Sequence, residues 1–77
     1  MAIILYGTSS CPWCHKARDF LKSNKFSFKD VNVGESKKDA DEMIKKSGQQ
    51  GVPVIDINGK IIVGFDEPAI KKALKLK

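Results

Sequence analysis

Between two apolar runs, "VPVIDI" (52–57) and "KIIV" (60–63), stands the dipeptide Asn58–Gly59. Asparagine followed by glycine is the pair that most readily places two successive residues at positive φ. A two-residue loop of that kind also twists in the same sense as the strands it joins. This feature commits the segment to an antiparallel hairpin, and a lone hairpin is not stable in water without further strands or a covering helix. The rest of the chain must supply them.

The remaining segments alternate in type. "AIILY" (2–6), ending at Gly7, predicts a buried strand. Beyond "GTSSC", Cys14, Ala17, Phe20 and Leu21 recur at helical spacing until Ser23 and Asn24 interrupt them. Phe26, Phe28, Val31 and Val33 predict a second strand stopped by Gly34. "SKKD" (36–39) has the form of a capping box ahead of Ala40, Met43 and Ile44, which share one face, and Gly48 closes that helix. Met43 is expected to fill core space. Asp66, Glu67 and Pro68 open a last helix with Ile70, Ala73 and Leu74 facing inward.

The predicted order is βαβ-α-ββα. A strand, a crossover helix and a second strand imply a parallel pair with a right-handed connection, and the hairpin adds an antiparallel one. The fold class is therefore α/β: a four-stranded mixed sheet flanked by three helices, with helices on both faces. At 77 residues the chain supports one core, hence a single domain over 1–77.

Composition narrows the function classes. Apolar residues make up 42% and charged residues 30%, which suits a globular protein and excludes a disordered tail. The opening "MAIILYG" lacks a leading positive charge, and its apolar run is too short for a signal core or a membrane span. A cytoplasmic protein without membrane contact is expected. The net charge of +5 is spread over scattered lysines with no aromatic stacking platform among them, so no nucleic-acid partner is expected.

Both cysteines lie in "SSCPWCH" (9–15). In a reducing compartment such a pair points to catalysis or metal binding, and not to a structural staple. Three chemistries share the pattern. Haem attachment fits the letters C-x-x-C-H, with His15 and Met43 as axial ligands, but belongs to exported chains. Structural zinc needs four ligands, and this stretch offers two cysteines and one histidine. An iron–sulfur cluster or metal carried by Cys11 between two chains is the remaining metal alternative.

A redox dithiol needs a bridgeable pair, one acidic thiol and one thiol held back. Residues three apart at a helix start lie within disulfide range. With Pro12 as the first helical residue, Cys11 is the N-cap, and its sulfur faces the free amides of Trp13 and Cys14 at the positive end of the dipole. Cys14 sits on the inward face with Ala17 and Leu21. A thiol of ordinary pKa, about 8.5, is only about 3% ionised at pH 7. Acidification raises that fraction, but nucleophilicity falls with a Brønsted slope of about 0.4 to 0.5. The larger benefit is that a stabilised thiolate leaves easily when Cys14 attacks. His15, behind the pair, is read as a surface residue, and Trp13 lies in an exposed turn.

"YGTSSCPWCHKARDFL" together with "SGQQGVPVIDINGKIIVGFDE" resembles the glutaredoxin family of the thioredoxin fold over essentially the whole chain. The resemblance implies a thiol–disulfide oxidoreductase with Cys11 as nucleophile and Cys14 as resolving cysteine. It implies a cis peptide bond before Pro53, with the Val52 backbone offered to the substrate strand. The docking or glutathione-binding residues become Pro12, Trp13, Val52, Pro53, Gly64, Phe65, Asp66 and Glu67. Thr8 stands where the family carries a basic residue, and the turn reads Gly-Phe where it carries Gly-Gly. The Gly-Phe turn is similar to that of small redoxins serving ribonucleotide reductase. Reducing equivalents are accordingly expected from glutathione or from a thioredoxin-reductase-type flavoprotein, with no tightly bound cofactor. The expected partners are disulfide-containing or glutathionylated proteins, met by a monomer.

Overall fold

The computed structural model describes residues 2–75, which form β1 (Ile3–Gly7), α1 (Pro12–Ser23), β2 (Lys29–Asn32), α2 (Lys37–Ser47), β3 (Val54–Ile57), β4 (Lys60–Val63) and α3 (Glu67–Ala73). The strands lie in the order β2-β1-β3-β4. β1 pairs with β2 in parallel, and β1 with β3 and β3 with β4 are antiparallel. This is the four-stranded mixed sheet with three helices that the order of segments predicts.

The hairpin forms as its turn dictates. Asn58 has φ 54° and Gly59 φ 94°, so both central residues are left-handed, and Val54 to Ile57 register against Val63 to Lys60. β3 starts at Val54, two residues later than the apolar run, because Pro53 has no N–H for a ladder; the Val52–Pro53 bond is cis.

Alternation along the strands feeds two cores. Ile3, Leu5, Ile55, Ile57 and Ile62 point to one face and pack with Ala17 and Leu21 of α1 and Ile70 and Leu74 at α3. Tyr6, Val31 and Val54 point to the other, where Met43 of α2 covers them. Met43 is 2% exposed, core filler as expected. α2 begins at the Ser36 cap, whose hydroxyl accepts from the Asp39 N–H at 3.2 Å, and ends at Gly48 with φ 74°.

β2 departs from its predicted bounds. Only Lys29–Asn32 is strand, and Phe26 and Phe28 come before it. The end of α1 claims Phe26: Lys25 turns left-handed at φ 62°, its N–H bonds the Lys22 carbonyl at 2.9 Å, and Phe26 N–H bonds the Leu21 carbonyl at 2.9 Å. That pair of bonds is a Schellman cap, which satisfies carbonyls the helix would leave open. β1 is likewise shifted by one residue, to include Gly7.

Candidate functional site

The end of β1 and the start of α1 build the site. Gly7, Thr8, Ser9 and Ser10 lead from the sheet to Cys11, which caps α1 in extended geometry at φ −94° and ψ 114° with Pro12 next in line. Cys11 Sγ accepts the Cys14 N–H at 3.3 Å. Both cysteines are free thiols, Cys11 half-buried and Cys14 with no exposed surface. The N-cap expectation, the inward placement of Cys14 and its company of Ala17 and Leu21 are all seen here.

The two sulfurs differ in acidity because their surroundings differ. Partial burial pushes Cys11 up, but hydrogen bonds from the Cys14 side chain and from the Cys14 and Trp13 amides, with the Arg18 charge, outweigh it and bring the thiol below its ordinary value. Burial first, then donation to Cys11 and the negative charge there, pushes Cys14 up to about 11 against the Thr8 backbone and Arg18, which act the other way. One thiol is therefore the readier to ionise and the other the readier to stay protonated.

Beside the pair, Trp13, Val52, Pro53, Gly64 and Phe65 line a cleft of about 280 Å³. Its walls are tied together by the Gly64 N–H donating to the Pro53 carbonyl at 2.7 Å. Trp13 is 55% exposed, tilted against Phe65 with ring centroids 6.4 Å apart, and Phe65 meets Phe20 edge-on at 5.9 Å. The structure thus brings five of the sequence-predicted docking residues together. The other three lie outside this cleft: Pro12 is exposed in the first turn, Asp66 caps α3 through the Ala69 N–H, and Glu67 pairs with Lys71 at 3.8 Å.

Two residues that sequence reasoning missed support the pair from behind. A Cβ placed on Gly7 would stand 2.8 Å from Cys14 Sγ and 3.3 Å from Arg18 Nη2, so only a glycine lets the sulfur lie against the sheet. Arg18 is one turn beyond Cys14 and is anchored on three sides. Its Nε bonds Asp30 at 2.8 Å, its Nη2 the Thr8 carbonyl at 3.3 Å, and its Nη1 lies 3.2 Å from His15 Nδ1. A cation four residues after Cys14, on an otherwise apolar face, was the available signal. His15 is exposed, as expected, but its Nε2 also donates to the Ser9 carbonyl at 2.7 Å and steadies the loop.

No three His, Cys, Asp or Glu side chains among the described residues group as metal ligands. An acidic N-cap thiol beside a buried partner and an apolar cleft can form a mixed disulfide and then resolve it. Comparison with known proteins agrees. The sequence profile of Glutaredoxin matches residues 3–62. The chain is 48% identical over 73 residues to an uncharacterized glutaredoxin-like 8.6 kDa protein in the rubredoxin operon of Clostridium pasteurianum, covering 95% of this chain and 97% of that one. It is 36% identical over 63 residues to glutaredoxin 3 of Escherichia coli, covering 82% and 76%. The crystal structure of a glutaredoxin from Archaeoglobus fulgidus superimposes with a TM-score of 0.88 at 30% identity, over 97% of this chain and 88% of the other. Motif, thioredoxin-like sheet and relatives converge, and the chain belongs to the glutaredoxin family of thiol–disulfide oxidoreductases.

Proposed function

We propose that the protein reduces disulfides of other proteins, and glutathione mixed disulfides, by a two-cysteine exchange in a reducing compartment such as the cytoplasm. The Cys11 thiolate attacks a substrate sulfur, forms a mixed disulfide and expels the first thiolate. Cys14 then gives up its proton and attacks Cys11 Sγ; the internal disulfide forms and the second substrate thiolate leaves and is protonated. Two electrons pass from the dithiol to the substrate. The observation that carries this reading is the asymmetry of the pair: an N-cap sulfur held by the Cys14 amide, next to a wholly buried thiol.

Trp13, Val52, Pro53, Gly64 and Phe65 receive the segment flanking the substrate disulfide, while Pro12, Asp66 and Glu67 would meet a substrate only outside this cleft. The apolar and aromatic lining supports an uncharged stretch of chain there, since such a surface gains most from losing water. Return of electrons requires an external thiol donor, glutathione or a flavoprotein reductase, and no tightly bound cofactor.

The variants Cys11→Ser and Cys14→Ser test the assignment. Cys11→Ser should lose all exchange with a protein disulfide, whereas Cys14→Ser should accumulate a covalent mixed disulfide visible by intact mass. Sustained turnover of protein disulfides by Cys14→Ser would remove the resolving role. Offering the oxidised protein either glutathione or NADPH with thioredoxin reductase identifies the donor by the faster reduction.

A further inference from the structure

The least explained group near the dithiol is Arg18. Its side chain is only 12% exposed, and it does not line the cleft of Trp13 and Phe65 but a separate depression with Ser9, His15, Asp30 and Asn32. Its guanidinium is nevertheless held by three partners on three elements: Asp30 of β2, the Thr8 carbonyl of the loop and His15 of α1. Cys14 Sγ and Arg18 Nη2 crowd the same point in space, the bare face of Gly7, at 2.8 and 3.3 Å from where a Cβ would stand. A fixed cation has been placed beside the sulfur that must ionise last.

We propose that Arg18 is an electrostatic positioning residue for the second half of the exchange, stabilising the Cys14 thiolate as it forms over Gly7 and attacks the mixed disulfide on Cys11. In that step the Cys14 S–H bond is broken with its proton going to water, the Cys14–Cys11 bond forms, and the Cys11–substrate bond breaks with its electron pair leaving on the substrate sulfur. Burial opposes ionisation of Cys14, and the held guanidinium offsets part of that penalty without having to move. The charged and titratable groups around the pair are Cys11 and the Thr8 backbone facing Cys14, and Asp30 and His15 facing Arg18. Asp30 binds Nε, while Nη2, which donates to the Thr8 carbonyl, lies close to the bare face of Gly7. Arg18 lowers Cys11 as well, but there the hydrogen bonds from the Cys14 side chain and from the Cys14 and Trp13 amides come before its charge.

The proposal rests on Cys14 being the resolving thiol, and a two-phase reaction separates the two claims. The reduced protein attacks dithiobis(nitrobenzoate) through Cys11 and releases one coloured thiolate; attack by Cys14 on the resulting adduct releases the second. Arg18→Gln should slow the second release about tenfold at pH 7, equivalent to about one unit in the Cys14 titration, and should move its pH midpoint upward. The first release should change much less, and Arg18→Lys should restore most of the second. Asp30→Asn, which keeps the guanidinium and removes its counter-ion, should move the midpoint of the second release down; it is also the informative variant if Arg18→Gln does not fold. A second release unchanged in Arg18→Gln, equal slowing of both phases, or an unmoved midpoint in Asp30→Asn overturns the role of Arg18. A wild-type protein that releases only the first thiolate overturns the resolving role of Cys14 instead.

Discussion

At the scale of single residues, the site depends on where two protons sit. Cys11 is held below the ordinary thiol value, so alkylation of the reduced protein by iodoacetamide should show a pH midpoint below that of a free cysteine measured alongside, with Cys14 unmodified until near pH 11. Cys14 also makes reduced-state stability depend on pH, with a definite sign. The native state keeps this proton up to about 11, while the unfolded chain releases it near 8.5, so the native state binds more protons in that window and stability falls as pH rises through it. Chemical denaturation of reduced wild type and Cys14→Ala should show their stability difference shrinking between pH 8 and pH 10.5 by on the order of 2 kcal/mol. A pH-independent difference would mean that Cys14 titrates normally. Gly7→Ala tests the seat of the same sulfur: the new methyl group overlaps Cys14 Sγ, and about 1–3 kcal/mol of stability should be lost on thermal or denaturant unfolding.

At the scale of elements, helix ends carry most of the local information. Cys11, Ser36 and Asp66 each cap a helix by accepting an amide three residues on, and all three starts are readable from Ser, Asp and Pro in the sequence or from the proline after Cys11. Ser36→Ala should cost about 1 kcal/mol, measured by urea denaturation. The end of α1 was readable from Ser23 and Asn24, but the Schellman cap beyond it was not, because its left-handed position is filled by a lysine and not by glycine. Lysine at φ 62° is strained, and Lys25→Gly should therefore stabilise the protein by about 0.5–1 kcal/mol despite the added freedom of the unfolded chain. A loss of stability would show that the Lys25 side chain contributes more than its backbone strain. The same cap explains why Phe26 leaves the predicted second strand.

Across the whole molecule, the sheet is held to α2 by a polar network that no local pattern announces. Lys46 Nζ donates to the Tyr6 hydroxyl at 2.7 Å and to Asp56 at 2.9 Å, and lies 3.5 Å from Glu42. Asp56, 9% exposed, also accepts the Gly59 N–H at 2.8 Å, so the network links α2, β1 and the hairpin. The Tyr6 and Asp56 hydrogen bonds hold the Lys46 ammonium more firmly protonated than usual. Lys46→Met should destabilise by about 2–3 kcal/mol, because it leaves the Asp56 carboxylate in a mostly buried position without its cation. A second change, Asp56→Asn, should recover part of that loss in a double-mutant cycle. Additive effects would mean that the two side chains contribute independently.

The sequence by itself determined the hairpin, the alternation of strands and helices, and the identity of the acidic thiol. Each of these depends on neighbours within a few residues, namely a turn dipeptide, a periodicity and a helix N-cap. Only the tertiary structure decided what surrounds the dithiol and what ties α2 to the sheet. Phe65 meets Trp13, Gly7 makes room for Cys14, Asp30 fixes Arg18, and Lys46 reaches Tyr6 across 40 positions of chain. Such contacts arise when strands distant in sequence register side by side, and burial then sets how strongly the charges between them act.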